Sequence, residues 1–425
     1  MAQPRLRGFK ETEKTEVALR KFFDSVTITR LSSELVPVDK ALDRILADDL
    51  VSEINIPSYN RSAMDGYAVT AKDTFGSAQT SPALLNLVGH VDMGKYPEFQ
   101  LGEGEAAEIT TGAILPPGAD AVVMLEYVRK INEKHIEVLV SVTPGENVSK
   151  VGEDVRPGDL VFRQGTRLKP PDVAMLVALS TGRVRVVRRP KVAIICSGNE
   201  LIELGTPPSP GKIVNTNRFL LSAMIEQLGA SPNYLGIAKD SVEDIIQLIS
   251  KGLVEADIVL VTGGTSVGEK DLVPDGVNSV GKPGVIVHGI SIRPGMPTGL
   301  ASANGKPIIL LSGQPIAAMI GVDVFVRPVI LRLLGTQDEP VATVRGRMSR
   351  RVASAAGMRT YLRVIVNEID GAYVADPVTT TGSGILSSMT QANGIVVIPE
   401  DKEGIEMNEE VTVTLFRPVG RTRRD

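Results

Sequence analysis

The sequence predicts a multidomain α/β protein whose central parallel-sheet α/β domain carries helices on both faces. Three segments support this prediction, because each is a run of Val, Ile and Leu that stops at glycine and polar residues. They are Lys191–Leu201 (KVAIICSGNEL), Asp257–Asp271 (DIVLVTGGTSVGEKD) and Lys306–Pro315 (KPIILLSGQP). Strands that are buried on both faces read as continuous apolar runs. Helical patterns between them indicate strands that run in parallel.

The elements that precede this domain follow from the spacing of apolar residues. Helical spacing is present in Glu13–Phe23 and again in Val38–Leu50. In Ile54–Val148, short alternating runs are separated by proline and glycine, which indicates a mostly β domain. A further helix is predicted in Pro170–Gly182, because prolines suit its start and glycine suits its end.

The later elements alternate between helix and strand and then become all β. Amphipathic helices are predicted in 213–230, 241–256 and 316–335, and alternating runs after Gly335 indicate a small β domain. The predicted domains are a discontinuous α+β linker domain (25–50 and 150–180), an inserted mostly-β domain (51–149), the α/β domain (1–24 and 181–332) and a C-terminal β-barrel-like domain (333–425).

Composition excludes several classes of protein. The chain has 425 residues, 43% of them hydrophobic, which suits about three domains. Its single cysteine, Cys196, excludes a disulfide framework and a cysteine-rich zinc site, and its three histidines form no close ligand pair. A net charge of −4 argues against a general nucleic-acid binder. No run resembles a signal peptide or a membrane span, so we expect a cytoplasmic protein.

The three glycine-containing turns predict one shared anion site. Ligands of parallel sheets bind beyond the carboxyl ends of the strands, and glycine lets backbone N–H groups approach an anion closely. Neither GxxxxGK[ST] nor GxGxxG occurs at these turns, so a P-loop NTPase and a standard dinucleotide dehydrogenase are not indicated. The alternative is that they are ordinary turns between strand and helix.

Acidic residues accompany the predicted anion site. Glu200, Glu269 and Asp271 follow two of the strands, and Val151–Asp159 (VGEDVRPGD) adds three more acids in a turn-rich stretch. Mg²⁺ is typically held by one or two carboxylates together with phosphate oxygens, so a divalent cation is expected beside the anion.

Two other motifs and one charged cluster have both a functional and a structural explanation. In Arg61–Val69 (RSAMDGYAV) and Glu108–Glu126 (EITTGAILPPGADAVVMLE), Asp-Gly and Thr-Thr-Gly suit either a ligand site or ordinary turns. Clustered arginines suit either a solvated face or an anionic substrate; they are Arg345, Arg347, Arg350, Arg351, Arg359 and Arg363.

Taken in order, these motifs resemble those of the molybdopterin molybdenumtransferases, the family of MoeA and the gephyrin E domain. The resemblance covers nearly the whole chain and rests on SAMDGYAV, TTGAILPPGADAVVMLE, GED, SGNEL, GGTSVGEKD and RPGMP. It implies Mg²⁺-dependent insertion of molybdate into adenylylated molybdopterin, release of AMP, and a pocket formed across a homodimer. A molybdopterin adenylyltransferase is then a candidate partner.

The same resemblance implies roles for individual residues. Asp65, Glu200 and Asp271 would be catalytic, and Glu200 and Asp271 would also hold Mg²⁺. The residues implied in substrate binding are Thr111, Asp154, Ser197, Gly198, Asp240, Gly263, Gly264, Ser266, Gly268, Arg293, Pro315 and Ser383.

The chain departs from the family pattern at several positions. Met296 replaces the second cation of the family's K-P-G-K-P segment, although Arg293 can still hold an anion bidentately. Ser149 replaces an arginine, Asn215-Thr216-Asn217 replaces Asp-Ser-Asn, and Ser312-Gly313-Gln314-Pro315 replaces Pro-Gly-Asn-Pro. These changes leave tungstate as an alternative oxyanion.

Two alternative functions remain open. A non-catalytic scaffold or cofactor carrier of the same family would suit the loss of the lysine, whereas the retained acids Asp65, Glu200 and Asp271 favour an enzyme. A nucleotide or pterin hydrolase on the same α/β domain would leave the SAMDGYA segment unexplained.

Overall fold

The computed structural model describes residues 12–207, 209–265, 272–378 and 384–421. The chain divides into two compact units. The larger unit contains 1–34, 43–45 and 186–425, and the smaller unit contains 35–42 and 46–185.

Helices occur mainly in the larger unit. The α-helices of the described residues are α1 (Thr15–Ser25), α2 (Pro170–Ala178), α3 (Thr216–Gln227), α4 (Val242–Glu255), α5 (Leu272–Val280), α6 (Pro315–Gly321), α7 (Arg327–Leu334) and α8 (Ser387–Gln391). A π-helical turn, Val322–Val326, joins α6 to α7.

Strands make up most of the remaining regular structure. Those before Arg189 are β1 (Ser33–Pro37), β2 (Leu50–Val51), β3 (Arg61–Ser62), β4 (Gly66–Val69), β5 (Ala83–Val91), β6 (Glu105–Ile109), β7 (Ala121–Met124), β8 (Val128–Asn132), β9 (His135–Val138), β10 (Val148–Ser149), β11 (Leu160–Phe162) and β12 (Arg183–Val187). Those of the α/β region are β13 (Lys191–Ser197), β14 (Leu201–Ile202), β15 (Ile213–Val214), β16 (Ser231–Ala238), β17 (Ile258–Thr262), β18 (Pro283–His288), β19 (Ile292–Arg293), β20 (Gly299–Ala303) and β21 (Lys306–Leu311). The last are β22 (Thr343–Met348), β23 (Val352–Ala353), β24 (Arg359–Ile369), β25 (Ala372–Pro377), β26 (Gly394–Ile398), β27 (Gly404–Ile405), β28 (Glu410–Leu415) and β29 (Gly420–Arg421).

The central sheet of the larger unit is mixed. Its strand order is β16-β13-β17-β21-β20-β18, and the first four strands are parallel. β20 and β18 run antiparallel to their neighbours at one edge. The predicted α/β class is therefore confirmed, with an antiparallel edge added to the parallel sheet.

Helices cover both faces of this sheet. Ala193 and Ile195 of β13 belong to the core under α4 and α5, which also contains Ile245 and Val277. The alternate residues of β13 are also fully buried, and α3 packs against β13 and β16. Because strand side chains alternate between faces, burial of every residue requires cover on both sides, as the continuous apolar runs predicted.

The C-terminal part of the larger unit is a closed β-sheet. Hydrogen bonding passes from β24 through β25, β22, β28 and β26 and returns to β24. Its interior contains Met348, Val364, Val396 and Val413. β19 pairs with β24 in parallel, so this sheet contacts the segment that carries Arg293.

The smaller unit contains a second six-stranded sheet. Its order is β7-β4-β6-β5-β9-β8, and β5 pairs with β6 in parallel while the other pairs are antiparallel. Because β5 and β6 run in the same direction, the loops that follow them lie at the same end of the sheet.

The predicted helix in Val38–Leu50 is wrong. Only Val38–Lys40 forms a helical turn, of the 3₁₀ type. Asp43 has a φ of 58°, which stops a right-handed helix. Leu46 instead exchanges backbone hydrogen bonds with Gly165 and Thr166. The apolar residues are buried in an irregular segment, which a pattern of burial alone cannot distinguish from a helix.

In the part of the chain that the structure describes, every helix is too short or too polar to cross a membrane.

An ion pair links the amino ends of β13 and β17 in the central sheet. Asp257 accepts bonds of 2.8 and 2.7 Å from the Arg188 guanidinium and one of 2.8 Å from the Lys191 N–H. Burial alone would raise the pKa of Asp257, but the Arg188 and Lys191 hydrogen bonds outweigh it and hold this pKa below its ordinary value.

We predict that Asp257→Asn lowers the free energy of unfolding by about 2 kcal/mol at pH 7, because it weakens hydrogen bonds to a charged group. Since the folded-state pKa of Asp257 is depressed, its contribution is present above the unfolded pKa and is lost as the pH falls through the folded pKa. The difference between wild type and variant should therefore narrow below pH 4 in urea titrations. A difference that is independent of pH would contradict this role.

Candidate functional site

A cavity of about 950 Å³ lies at the carboxyl ends of β13, β17 and β21. These strands are adjacent in the sheet, with Cys196 opposite Thr262 and Thr262 opposite Leu311. Ser197, Gly263 and Ser312 therefore follow at one level and line the cavity together. The three turns singled out in the sequence meet here because the strands that carry them are in register.

Glycine is required at the turn after β17. Gly263 has a φ of 94°, and a Cβ atom there would lie 2.2 Å from the carbonyl oxygen of Ser197. Gly264 has a φ of 63°, and its Cβ would lie 2.8 Å from Val273. A side chain at either position would combine a left-handed backbone with a steric clash. The two glycines thus let the β17 turn pack against β13.

A hydrogen-bond network ties α3 to the strand ends. The Asn217 amide Nδ2 donates to Thr262 Oγ1 at 2.8 Å and to the Gly313 carbonyl at 2.9 Å. The Thr262 hydroxyl donates to the Ser312 carbonyl at 2.9 Å. These bonds cross from helix to two strand ends and make the floor of the cavity rigid.

Two carboxylates stand at the rim. The backbone N–H of Asn199 donates to Asp240 at 3.3 Å, and the Asp240 N–H donates to the Asn199 side chain at 3.2 Å. Glu200 is exposed. If residue 198 had a Cβ atom, that atom would lie only 2.5 and 2.6 Å from the two carboxylate oxygens of Glu200. Gly198 thus makes room for the Glu200 carboxylate beside the strand end.

A tight turn brings Arg293 to the cavity. The Thr298 hydroxyl donates to the Gly295 carbonyl at 2.6 Å, and the Ile290 N–H donates to the Met296 carbonyl at 2.9 Å. Arg293 is exposed on this turn, lines the cavity and has no ion-pair partner among the described residues. Met296 is half-buried in the cavity wall. The Arg293 guanidinium is therefore available to bind an anion. The Met296 thioether carries no charge and no hydrogen-bond donor, so it cannot bind one.

Sequence reasoning missed a polar cluster next to the cavity. Tyr234 donates to Glu203 at 2.6 Å, and Arg218 pairs with Glu203 at 2.8 Å while stacking on the Tyr234 ring. Asn215 donates to the Tyr234 oxygen at 3.1 Å and caps α3 by accepting from the Arg218 N–H. An aspartate at 215 would lack the N–H that Tyr234 receives, so the departure at this position has a structural reason.

The single cysteine lies in the same wall but has no nucleophilic role. Cys196 is fully buried, and burial raises the pKa of its thiol to about 11. The thiolate is the reactive form of cysteine, so this side chain stays neutral at physiological pH.

The smaller unit contains its own exposed carboxylate site. Asp65 accepts hydrogen bonds from the Thr111 backbone at 2.7 Å and from the Thr111 hydroxyl at 2.9 Å. These bonds lower the pKa of Asp65, and the bond from the backbone has the larger effect. The two loops of the sequence motifs are thus joined directly, and the carboxylate is ionised at physiological pH.

Asp154 lies further along the same region of the smaller unit. Its N–H donates to the carbonyl of Ile56 at 3.0 Å, nine residues before Asp65, and its side chain is exposed. Ser149, one of the departures noted in the sequence, lies in β10 opposite Arg61 of β3. Asp154 is therefore bonded to the start of the segment that ends at Asp65, and it does not share the Thr111 bonds.

The predicted site residues fall into three groups. The cavity of the larger unit is lined by Ser197, Gly198, Glu200, Asp240, Gly263, Gly264, Arg293 and Pro315. The smaller unit contains Asp65, Thr111 and Asp154. Outside the described residues lie Ser266, Gly268, Glu269, Asp271 and Ser383.

The clustered arginines divide between surface and interior. Arg345 and Arg351 are exposed and pair with Glu410 and Glu406. In contrast, Arg363 is only 9% exposed, and desolvation lowers its pKa. The exposed members of the cluster thus lie on a solvated face.

The donor chemistry of the cavity is compatible with Mg²⁺. Among the described residues, no group of three His, Cys, Asp or Glu side chains forms a complete protein ligand set. Mg²⁺ instead favours one or two carboxylates plus substrate phosphate oxygens, and Glu200 offers an exposed carboxylate at the rim.

Comparisons with known proteins agree with this architecture. Family models match the MoeA N-terminal region (domains I and II) at residues 14–180, a probable molybdopterin-binding domain at 193–332 and the MoeA C-terminal region (domain IV) at 345–416. A molybdopterin biosynthesis protein of Methanocaldococcus jannaschii is 36% identical over 390 residues, which cover 90% of this chain and 92% of that protein. The molybdopterin molybdenumtransferase of Bacillus subtilis is 32% identical, with coverages of 91% and 90%. The crystal structure of the molybdopterin biosynthesis MoeA protein of Pyrococcus horikoshii superposes with a TM-score of 0.83 at 34% identity, covering 96% of this chain and all of that one.

We predict that Gly263→Ala lowers the free energy of unfolding by about 3 kcal/mol, because the new Cβ adds a clash with a backbone oxygen to an unfavourable φ. Gly305→Ala is the matched control. Its φ of 77° is equally left-handed, but nothing lies within 4 Å of its Cβ. It should cost only about 1 kcal/mol. Equal losses in denaturant titrations would show that the close approach to Ser197 is unimportant.

Proposed function

Because the chain belongs to the MoeA family of molybdopterin molybdenumtransferases, we propose that it inserts molybdate into adenylylated molybdopterin and releases AMP. This reaction is a step in the biosynthesis of the molybdenum cofactor. A molybdopterin adenylyltransferase would supply the substrate.

One observation carries this proposal: three in-register strand ends form a cavity with carboxylates at its rim and, in its wall, a guanidinium that has no ion-pair partner among the described residues. Glu200 and Asp240 supply the negative charge and Arg293 the positive charge. A substrate with a phosphate and a planar ring, together with a small oxyanion, suits such a mixed and partly apolar cavity. A simple phosphate site would not need the carboxylates.

Mg²⁺ is the cofactor that fits these donors. When bound, it would supply charge stabilisation at a phosphoryl oxygen. Glu200 would hold it together with substrate oxygens, and Asp271 is the second proposed ligand. Arg293 would bind the anionic end of the substrate or the oxyanion, since a guanidinium presents a planar fork of donors.

The oxyanion itself is proposed to be molybdate, with tungstate as the alternative. Met296 leaves Arg293 as the cation of its segment, so selection between these anions would depend on fewer charge-assisted hydrogen bonds. Their similar size and equal charge make weak discrimination the expected result.

The test is an assay of AMP release by the purified protein with adenylylated molybdopterin, molybdate and Mg²⁺. We expect AMP only when all three are present. Glu200→Gln should slow release about a hundredfold or more, the usual effect of removing one group that stabilises a transition state. Glu226→Gln, which changes an exposed acid on α3 outside the cavity, is the control.

Each alternative function predicts a different result in this assay. A scaffold would bind the substrate without releasing AMP. A hydrolase would release AMP at the same rate without molybdate. Either result would replace the proposed transferase.

We further propose that the active protein is a homodimer in which Asp65 and Thr111 of one subunit complete the cavity of the other. Asp65 is ionised and exposed, and its carboxylate is oriented by two hydrogen bonds from Thr111. These properties suit a group that acts on a ligand bound by the other subunit.

Mixing an Asp65→Ala chain with a Glu200→Ala chain tests this arrangement. A mixed dimer would contain one intact site and one doubly altered site. With equal amounts and random pairing, activity should return to about a quarter of the wild-type value. A verified heterodimer with no activity would place each complete site within one chain, while the AMP assay on wild type remains unaffected.

A further inference from the structure

Among the described residues, two buried polar atoms of residues that line the cavity have no hydrogen-bond partner. They are the Ser197 Oγ and the Asn217 Oδ1, in residues that are 3% and 6% exposed. Both residues line the cavity. Buried polar atoms are nearly always paired in folded proteins, so these two atoms have hydrogen-bonding capacity that a ligand or a water molecule can use.

The orientation of the Asn217 amide is determined by its neighbours. Its Nδ2 faces the Gly313 carbonyl, which can only accept a hydrogen bond. It also faces Thr262 Oγ1, whose proton is directed to the Ser312 carbonyl. A rotated amide would set Oδ1 against the Gly313 oxygen. The unpaired atom is therefore the oxygen, which is an acceptor only.

An acceptor-only atom selects the chemistry of the ligand. It repels the oxygens of phosphate or molybdate and binds an N–H or O–H group. The wall of the same cavity contains the apolar residues Ile213, Met296 and Leu386, which suits a planar ring. The cation that suits an anion, Arg293, is on a different element of the cavity wall.

We propose that Ser197 and Asn217 bind the N–H edge of a nitrogen heterocycle and thereby determine which ring the cavity accepts. This inference rests on the proposed function, whose substrate contains two such rings, a pterin and an adenine. Each ring has an exocyclic amino group that the Asn217 oxygen can accept from. The Ser197 hydroxyl can donate to a ring nitrogen or accept from the same amino group.

Matched ligand pairs test the proposal on the full-length protein. The adenine pair is AMP and purine riboside 5′-monophosphate, which lacks the amino group. The pterin pair is pterin and 4-hydroxypteridine, which lacks the 2-amino group. In calorimetric titrations, one pair should show about tenfold weaker binding of the ligand without the amino group, because Asn217 Oδ1 then stays buried and unpaired. The pair that shows the difference identifies the ring.

The variant Ser197→Ala provides the second arm. It should weaken binding of the amino ligand several-fold and reduce the preference within the pair, whereas the affinity for inorganic pyrophosphate should not change. Its melting temperature should not fall, because its hydroxyl forms no hydrogen bond with the described residues. Ser302→Ala is the control: that serine is also buried but donates to the Lys306 carbonyl at 3.0 Å outside the cavity. It should melt earlier and bind every ligand as the wild type does.

Three results would overturn the inference: no preference within either pair, no measurable binding of any of the four ligands at millimolar concentration, or an equal loss of pyrophosphate binding in Ser197→Ala. The outcome is separate from that of the proposed function. AMP release without ring preference would refute only this subsite, and ring preference without AMP release would refute only the transferase reaction.

Discussion

The parallel register of β13, β17 and β21 is the constraint on which the rest of the site depends. With Cys196 opposite Thr262 and Thr262 opposite Leu311, the three strands end at one level. A slip of one residue would turn every side chain to the other face of the sheet. At the opposite end, Asp257 joins the start of β17 to Arg188 and Lys191, so β13 and β17 are also linked at their amino ends.

Two asparagines near the start of α3 differ in how their amides are paired. Asn215 is 1% exposed and uses both ends of its amide within the protein. Two residues further along, Asn217 uses only its nitrogen, and Arg293 has no ion-pair partner among the described residues. Unpaired polar groups lower the stability of a fold, so their presence in residues that line a cavity is expected where stability is given up for binding.

Local patterns predicted most elements of the fold, and the failures have identifiable causes. The helix predicted in 241–256 is observed as α4 (Val242–Glu255) because its apolar residues face one core. The helix predicted in Val38–Leu50 fails because Asp43 is left-handed. The antiparallel edge of the central sheet had a signal, since Asn304-Gly305 is a typical hairpin turn with positive φ at both positions. This signal was not used in the prediction, because the surrounding apolar runs were interpreted as strands of a parallel sheet.

The sequence by itself determined the class of fold, the three glycine turns, the absence of a cysteine-rich site and the motifs of the MoeA family, because each of these is local in the chain. Only the tertiary structure decided how polar groups are paired at the site. Asn217 binds Thr262 and Gly313, which are 45 and 96 residues away. Such partners meet because strands pack in register and α3 packs on the sheet. The unpaired Asn217 oxygen is a consequence of that packing, which the order of residues does not reveal.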